Sequence, residues 1–225
     1  MRARRGLLLG WVAVGAYATL LGAVSVAALR DDSARPVVAA SPDPAAEQLV
    51  EAWERSRTAT FVTTGTYERF SDVTGASLSS EDVVAQRPPR RLHRQLGGVN
   101  GRDDDRLLLC PAPPPGATQE PEPCRLGSPG GPTYEESVDD EVAALRSLLL
   151  GGAPLYEVAS GDPGCFDLEL VRVHPRAPFG IAASFCFDPA TGAPAGHRVR
   201  HEGGIEEVLV VAEIRSEVTS DDLEP

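Results

Sequence analysis

His197 and His201 lie four residues apart, the spacing with which a helix presents two imidazoles to one metal ion. They flank Val199 just ahead of Gly203-Gly204, a context that reads as a strand. At about 3.3 Å per residue a strand separates them by about 13 Å, too far to share an ion. They therefore read as surface histidines. Asp103-Asp104-Asp105, between Arg102 and Arg106, has the charge of a calcium loop but not its alternating ligands, Gly and distant Glu. Three adjacent Asp at a hairpin point in different directions, so a solvated turn is expected. Leu126-Gly127-Ser128-Pro129-Gly130 lacks the first Gly of a nucleophile elbow and does not follow a strand. All 21 basic residues are Arg, and the absence of Lys excludes a Walker-type phosphate loop, a Schiff-base lysine and a Ser-Lys dyad. Among the 33 acids nothing singles out a catalytic pair. The chain is accordingly read as non-enzymatic, with no catalytic residue, metal or cofactor assigned. Arg87, Arg90, Arg91 and Arg94, with His93, form a basic cluster in an acidic domain. It could contact an anion or lipid headgroup at the rim of a cavity. The plainer reading is charge balance with the Asp run across the same hairpin.

These residues sit in a chain whose first segment states its location. Gly6 to Leu29 carries no charge, follows Arg2, Arg4 and Arg5, and precedes Arg30-Asp31-Asp32. About 20 apolar residues cross a bilayer as a helix, whereas the core of a signal peptide is usually about 7–15. Residues 1–30 are thus expected to be a cytoplasmic stub and a transmembrane signal-anchor. The small residues Ala23, Ser25 and Ala27 leave cleavage, and so secretion, open. The positive-inside rule puts the N-terminus in the cytoplasm and the C-terminal domain outside the cell membrane, as a single-pass protein. No Cys precedes Cys110, so no lipobox cysteine is present to acylate. The net charge is -12, and every acid lies after residue 30, so the external part repels phosphate backbones and nucleic-acid binding is not expected.

Four Cys in an exported domain read as two disulfides, for which three pairings exist. Spacing suggests Cys110–Cys124 and Cys165–Cys186. Folding 165–173 back onto 178–186 sets Phe166 against Phe185, Leu168 against Ala183 and Leu170 against Ile181, with Asp167 and Ser184 on the other face. One register places every large apolar side chain on one side, as a half-buried hairpin requires. Zinc is the weaker alternative, because no C-x2-C pair occurs.

The elements follow from periodicity. Residues 31–42 read as a linker. Asp43-Pro44 reads as an N-cap and first helical residue, and Ala46, Leu49, Val50 and Trp53 give a helix over 44–57 with Trp53 inward. Residues 59–70 and 82–86 read as strands, the second stopped by Pro88-Pro89. Segments 91–96 and 106–110 read as a hairpin around Gly97-Gly98 and Asn100-Gly101. Residues 111–132, with eight Pro, read as a surface loop pinned by Cys110 and Cys124. Thr133-Tyr134-Glu135-Glu136 is a capping box, and Val138, Val142, Leu145 and Leu149 continue a helix to Gly151-Gly152. Strands follow at 155–159, in the Cys165–Cys186 hairpin, at 196–202 and at 205–214, where Val208-Leu209-Val210-Val211 reads as a buried strand. Sequential hairpins imply an antiparallel sheet, and two amphipathic helices are available to cover one face.

This order resembles the LolA-like, lipoprotein-carrier half-barrel superfamily of bacterial lipoprotein and glycolipid carriers, which includes an envelope-stress sensor domain. The resembling pieces are the helix before a long first strand (44–70), Val84-Ala85-Gln86-Arg87-Pro88-Pro89-Arg90-Arg91-Leu92, the helix after a long loop, Phe187-Asp188-Pro189-Ala190-Thr191-Gly192, and the acidic end from Ile214 to Leu223. The resemblance covers roughly residues 43–223 and implies an α+β fold. In it, a curved antiparallel half-barrel sheet would be covered by two amphipathic helices over an apolar cavity, making residues 43–225 one extracytoplasmic domain. The chain departs from the superfamily in its anchor, its disulfides and its long Pro-rich loop, and a tethered protein does not diffuse as a shuttle.

Trp53, Leu145, Leu149, Phe166, Leu168, Phe185 and Phe187 form the apolar faces. They would line a ligand cavity if one exists and a packed core otherwise, since periodicity does not separate the two. The leading expectation is a membrane-anchored, non-enzymatic extracytoplasmic domain that binds a lipid or other amphiphile. The alternative is a protein-interaction or envelope-sensor module with a filled core and an envelope protein partner. An envelope hydrolase is a third, weaker class.

Overall fold

The computed structural model describes residues 43–112, 123–174 and 177–225. The expected signal-anchor, the linker and the middle of the Pro-rich loop lie outside the described residues. No helix among the described residues is long and apolar enough to cross a membrane.

Helix α1, Pro44–Thr58, begins where expected: the Asp43 carboxylate accepts from the Ala45 amide at 3.0 Å and Pro44 opens the first turn. Five strands follow: β1 (Phe61–Ser71), β2 (Ser77–Arg87), β3 (Arg90–Gln95), β4 (Gly98–Asp103) and β5 (Arg106–Cys110). The short β6 (Arg125–Leu126) precedes helix α2 (Tyr134–Leu150). The second half of the chain forms β7 (Tyr156–Ser160), β8 (Cys165–Leu170), β9 (Ala182–Phe187), β10 (Pro194–His201) and β11 (Ile205–Arg215). All eleven strands form one antiparallel sheet in the order β6-β5-β4-β3-β2-β1-β11-β10-β9-β8-β7. Two meanders are thus joined by pairing the first long strand with the last. The sheet is curved and does not close, since β6 and β7 are left as its edges.

Two expectations need correction. Residues 97–105 are not one long hairpin loop: Gly98–Asp103 is a strand, paired with β3 on one side and β5 on the other. Gly101 belongs there because a Cβ would meet Leu92 Cδ2 at 2.3 Å; the neighbouring leucine occupies the space a side chain would take. Nor is Val208–Val211 a buried strand, since Val210 is 58% exposed and its neighbours are half-exposed. It lies mid-sheet, beyond the main core that the helices cover.

The Cys165–Cys186 hairpin forms in the expected register, with Phe166 opposite Phe185, Asp167 opposite Ser184 and Leu168 opposite Ala183. Both expected disulfides are present. The capping box of α2 is complete: the Thr133 side chain accepts from the Glu136 amide at 3.2 Å, and the Glu136 carboxylate accepts from the Thr133 amide at 2.8 Å.

Period-2 alternation gives the sheet two distinct faces. The main core joins α1 and α2 to β7–β10, with Leu49 and Val50 at 0% exposure and Leu168 at 1%. On the back face, Leu223, in the terminal 3-10 turn Asp221–Leu223, is fully buried against Val62 and Ala85.

Candidate functional site

The helix-side face of β1–β5 carries the polar groups. One row of it is fixed by Gln86, whose side-chain amide donates to the carbonyls of Ser56, Arg57 and Ala59 at 2.8, 3.0 and 2.8 Å, capping the end of α1. Register places Phe61 and Arg91 beside Gln86, and Arg102 beside Arg91. Arg102 donates to the carbonyls of Pro132 and Thr133 at 2.9 and 3.0 Å and to the Ser137 hydroxyl at 2.5 Å, which seats the start of α2.

Above this row the two helices are clamped by Glu141. Its carboxylate accepts from Arg57 Nη2 at 2.6 Å, from Arg57 Nε at 3.0 Å and from Trp53 Nε1 at 2.8 Å. Burial pushes the Glu141 carboxyl up, but the charge and hydrogen bonds of Arg57, the Trp53 donor and the charge of Arg91 outweigh it and hold the group below the usual carboxylate range. The Arg57 guanidinium also lies 5.0 Å over the Trp53 ring.

Further down the same face, the Asp82 carboxylate, 3% exposed, accepts from Gln95 Nε2 at 2.8 Å and lies 2.7 Å from His93 Nε2. Across β1, Glu207 is 8% exposed and lies 3.5 Å from both Arg69 Nε and His201 Nε2. Burial raises the Glu207 carboxyl, but the bond from His201 and the charges of His201, Arg69 and His197 lower it further. His197, on β10 beyond Glu207, feels the charge of both carboxylates. Burial depresses its imidazole below the usual histidine value, against the opposing pull of Asp82 and Glu207. His197 and His201 do sit on a strand, but they are half-buried on the inner face rather than on the outer surface.

Imidazole–carboxylate pairs can hold a tautomer and move a proton. Group transfer needs a nucleophile as well as such a pair. All four Cys are in disulfides. No set of three His, Cys, Asp or Glu placed to hold a metal occurs among the described residues. Asp104 serves α2 instead, accepting from the Tyr134 amide at 3.2 Å.

The seven apolar residues named from the sequence lie together in the main core. Trp53 meets Phe185 edge-on at 5.3 Å and Phe187 at 6.1 Å, and Phe166 lies 6.4 Å from Phe187. Leu145, Leu149 and Leu168 are 3%, 3% and 1% exposed. The gap bounded by Trp53, Glu141, Leu145, Leu148 and Phe179 has a volume of about 10 Å³, which is at most one water. Sequence reasoning missed Phe179, which sits in a connection. It packs on Trp53, Tyr156 and Phe185, and its amide donates to the Tyr156 hydroxyl at 3.0 Å.

The pleat divides the arginine cluster. Arg87, Arg90 and Arg94 face the back and donate to carbonyls of the C-terminal segment: Arg87 to Val218 at 3.3 Å, Arg90 to Leu223 at 3.2 Å, and Arg94 to Asp222 at 3.2 Å and to Glu224. Arg90 also lies 3.7 Å from Asp103, the cross-hairpin pair the charge pattern suggested. A hollow of about 120 Å³ lies beside Leu223, between Leu92, Leu108 and Leu126. Arg91 and His93 point the other way, beneath the helices. The polar residues of the inner face, Asp82, Gln95 and Glu207, had no sequence signal beyond their place in the strand alternation, and Glu141 of α2 had none.

No protein-family model matches the chain, and no curated protein matches it. Solved structures with a similar course exist at low identity. A chain of the MucA/MucB complex of Pseudomonas aeruginosa shares 16% identity over 81% of this chain and 61% of its own, with a TM-score of 0.47. MucB in complex with the periplasmic part of MucA gives 16% identity and a TM-score of 0.47 over 80% of this chain and 59% of its own. This chain thus spans about three fifths of those chains. A LolA superfamily protein from Nitrosomonas europaea shares 10% identity over 83% of this chain and 99% of its own, with a TM-score of 0.34. A member of the LolA superfamily, which the element order resembles, is thus among these structures.

Proposed function

We propose that the chain is a membrane-held, non-enzymatic extracytoplasmic interaction or sensor module that works through the open inner face of β1–β5. The observation that carries this reading is the filled core. The residues that would line an acyl cavity pack on one another and leave about 10 Å³, whereas pockets for drug-sized ligands measure about 300–1,000 Å³. The inner face of the first meander is only partly covered. Leu107 and Leu109, on that face of β5, are each 49% exposed, and Leu78 is 43% exposed. Single-pass anchoring by residues 6–29 supplies the membrane attachment, or secretion if the segment is cleaved.

Exposed leucines beside a polar floor also favour a second reading, an amphiphile laid along the same face. One experiment separates the two. A photo-reactive phenylalanine analogue replaces Leu109 in the full-length chain in its native cell, with Val210 on the back face as control. A discrete protein adduct at 109 and none at 210 is expected. A lipid adduct at 109 moves the assignment to amphiphile binding, and equal labelling at both positions removes the inner face as the working surface.

A further inference from the structure

The guanidinium groups beneath the helices are not equally satisfied. Arg57 is bound by Glu141, and Arg102 by the Pro132 and Thr133 carbonyls and Ser137. Arg91, between Gln86 and Arg102 in the sheet, has no such partner. Its Nε is sealed from solvent without an acceptor, and no group among the described residues accepts a hydrogen bond from its guanidinium. A guanidinium offers five donors in a fixed fork, and a buried charged donor left unpaired is costly. Glu141, whose charge reaches Arg91, already takes three hydrogen bonds from Arg57 and one from Trp53. Positive charge is therefore in excess at this point of an acidic protein.

Arg91 is also within reach. The residue is mostly buried but keeps partial exposure away from its sealed Nε, and the floor continues from it through His93, Gln95 and Asn100, each also partly exposed. Leu107, beside Arg102 in register, borders the same floor and is 49% exposed. We infer that Arg91 is the anchor of an oxyanion-binding site on the inner face, taking a phosphate or carboxylate group in the bidentate geometry a guanidinium favours. The group would enter along the leucine-bordered floor and complete the fork that the protein leaves open. The charge balance agrees: burial first, then the Arg57 charge, lower the Arg91 guanidinium to about 10, despite Glu141, Tyr134 and Asp82. An arriving anion reverses that cost.

The site lies on the same inner face as the proposed interaction surface and deepens that reading by naming a chemical group the face would hold. The anion can be free in solution or the head of an amphiphile, and the test distinguishes the two. The full chain, held in nanodiscs of zwitterionic lipid, is titrated calorimetrically with inorganic phosphate, hexyl phosphate and hexanol. Wild type is expected to bind a phosphate-bearing probe, and Arg91→Met to weaken that binding at least tenfold, with Arg91→Lys intermediate. Hexanol should not distinguish the variants. Equal affinity for the two phosphates assigns a free anion, and a preference for hexyl phosphate assigns an amphiphile head; both support the site. Should Arg91→Met fail to fold, the Nε–H resonance of Arg91 in the wild-type chain is followed instead, and it should shift on phosphate addition. No phosphate binding by wild type, unchanged affinity in a folded Arg91→Met, or an unmoved Arg91 resonance overturns the inference. Crosslinking at position 109 is independent of all these readouts, so either idea can fail alone.

Discussion

Glu141→Gln tests how the helix pair is held over the sheet. The substitution keeps the shape of the side chain, removes its charge and turns one acceptor into a donor that faces Arg57 or Trp53. The Arg57 and Glu141 side chains are 14% and 15% exposed, so the pair is largely desolvated but not sealed. Removing one partner of a buried pair costs about 3–5 kcal/mol, and the residual solvent contact places this case at the low end, about 3 kcal/mol. For a chain of this size that corresponds to a fall in Tm of about 6–12 °C. Thermal and urea unfolding of the full chain, followed by circular dichroism, read the loss directly. A cycle with Arg57→Met should show a coupling of about 2 kcal/mol, because the second substitution removes the charge that the first left unpaired. The sign of the pH dependence is also determined. The Glu141 carboxyl is held below its usual range, so its contribution is complete above the unfolded value of about 4.3 and is lost as pH falls through the lower folded value. Wild type and Glu141→Gln should therefore converge in acid. A loss below about 1 kcal/mol at neutral pH, or strictly additive substitutions, would refute the clamp.

Leu168→Ala, at a position 1% exposed in the main core, should cost about 3 kcal/mol in urea unfolding. Replacing Cys165 and Cys186 by Ala opens a loop with a separation of 21 residues and should cost about 3 kcal/mol by chain entropy, read as a lower unfolding midpoint. His197 is depressed by burial, so the folded state resists protonating it. Its contribution is complete above about 6.5 and declines as pH falls below that toward the lower folded value, and His197→Gln should flatten the stability profile on the acid side of about pH 6.5.

Much of the fold is legible where local chemistry and tertiary need coincide. The α2 capping box is a contact between residues three apart, so no distant residue enters it. The Cys165–Cys186 hairpin has one register that satisfies both the disulfide and the apolar face, and that register forms. Strand β4 was not legible, because Asn100 and Gly101 carry a turn signal that pairing on both sides overrides. Val208–Val211 misled for a related reason: apolar composition marks a strand, but burial depends on what covers it, and the helices pack over β7–β10.

The candidate site shows the same division. Residue types alone exclude lysine chemistry, give the chain its acidic surface, mark an apolar N-terminal stretch and gather four arginines within eight positions. Tertiary structure decided what those arginines do. The pleat sends Arg87, Arg90 and Arg94 to the carbonyls of a segment more than 120 residues away and turns Arg91 inward, where its neighbours are already paired. Whether an apolar face is a core or a cavity likewise depends on packing. Hydrophobic periodicity records which side chains leave water, whereas the volume left between them depends on how Trp53, Phe179 and Phe185, brought together from different elements, fit against one another.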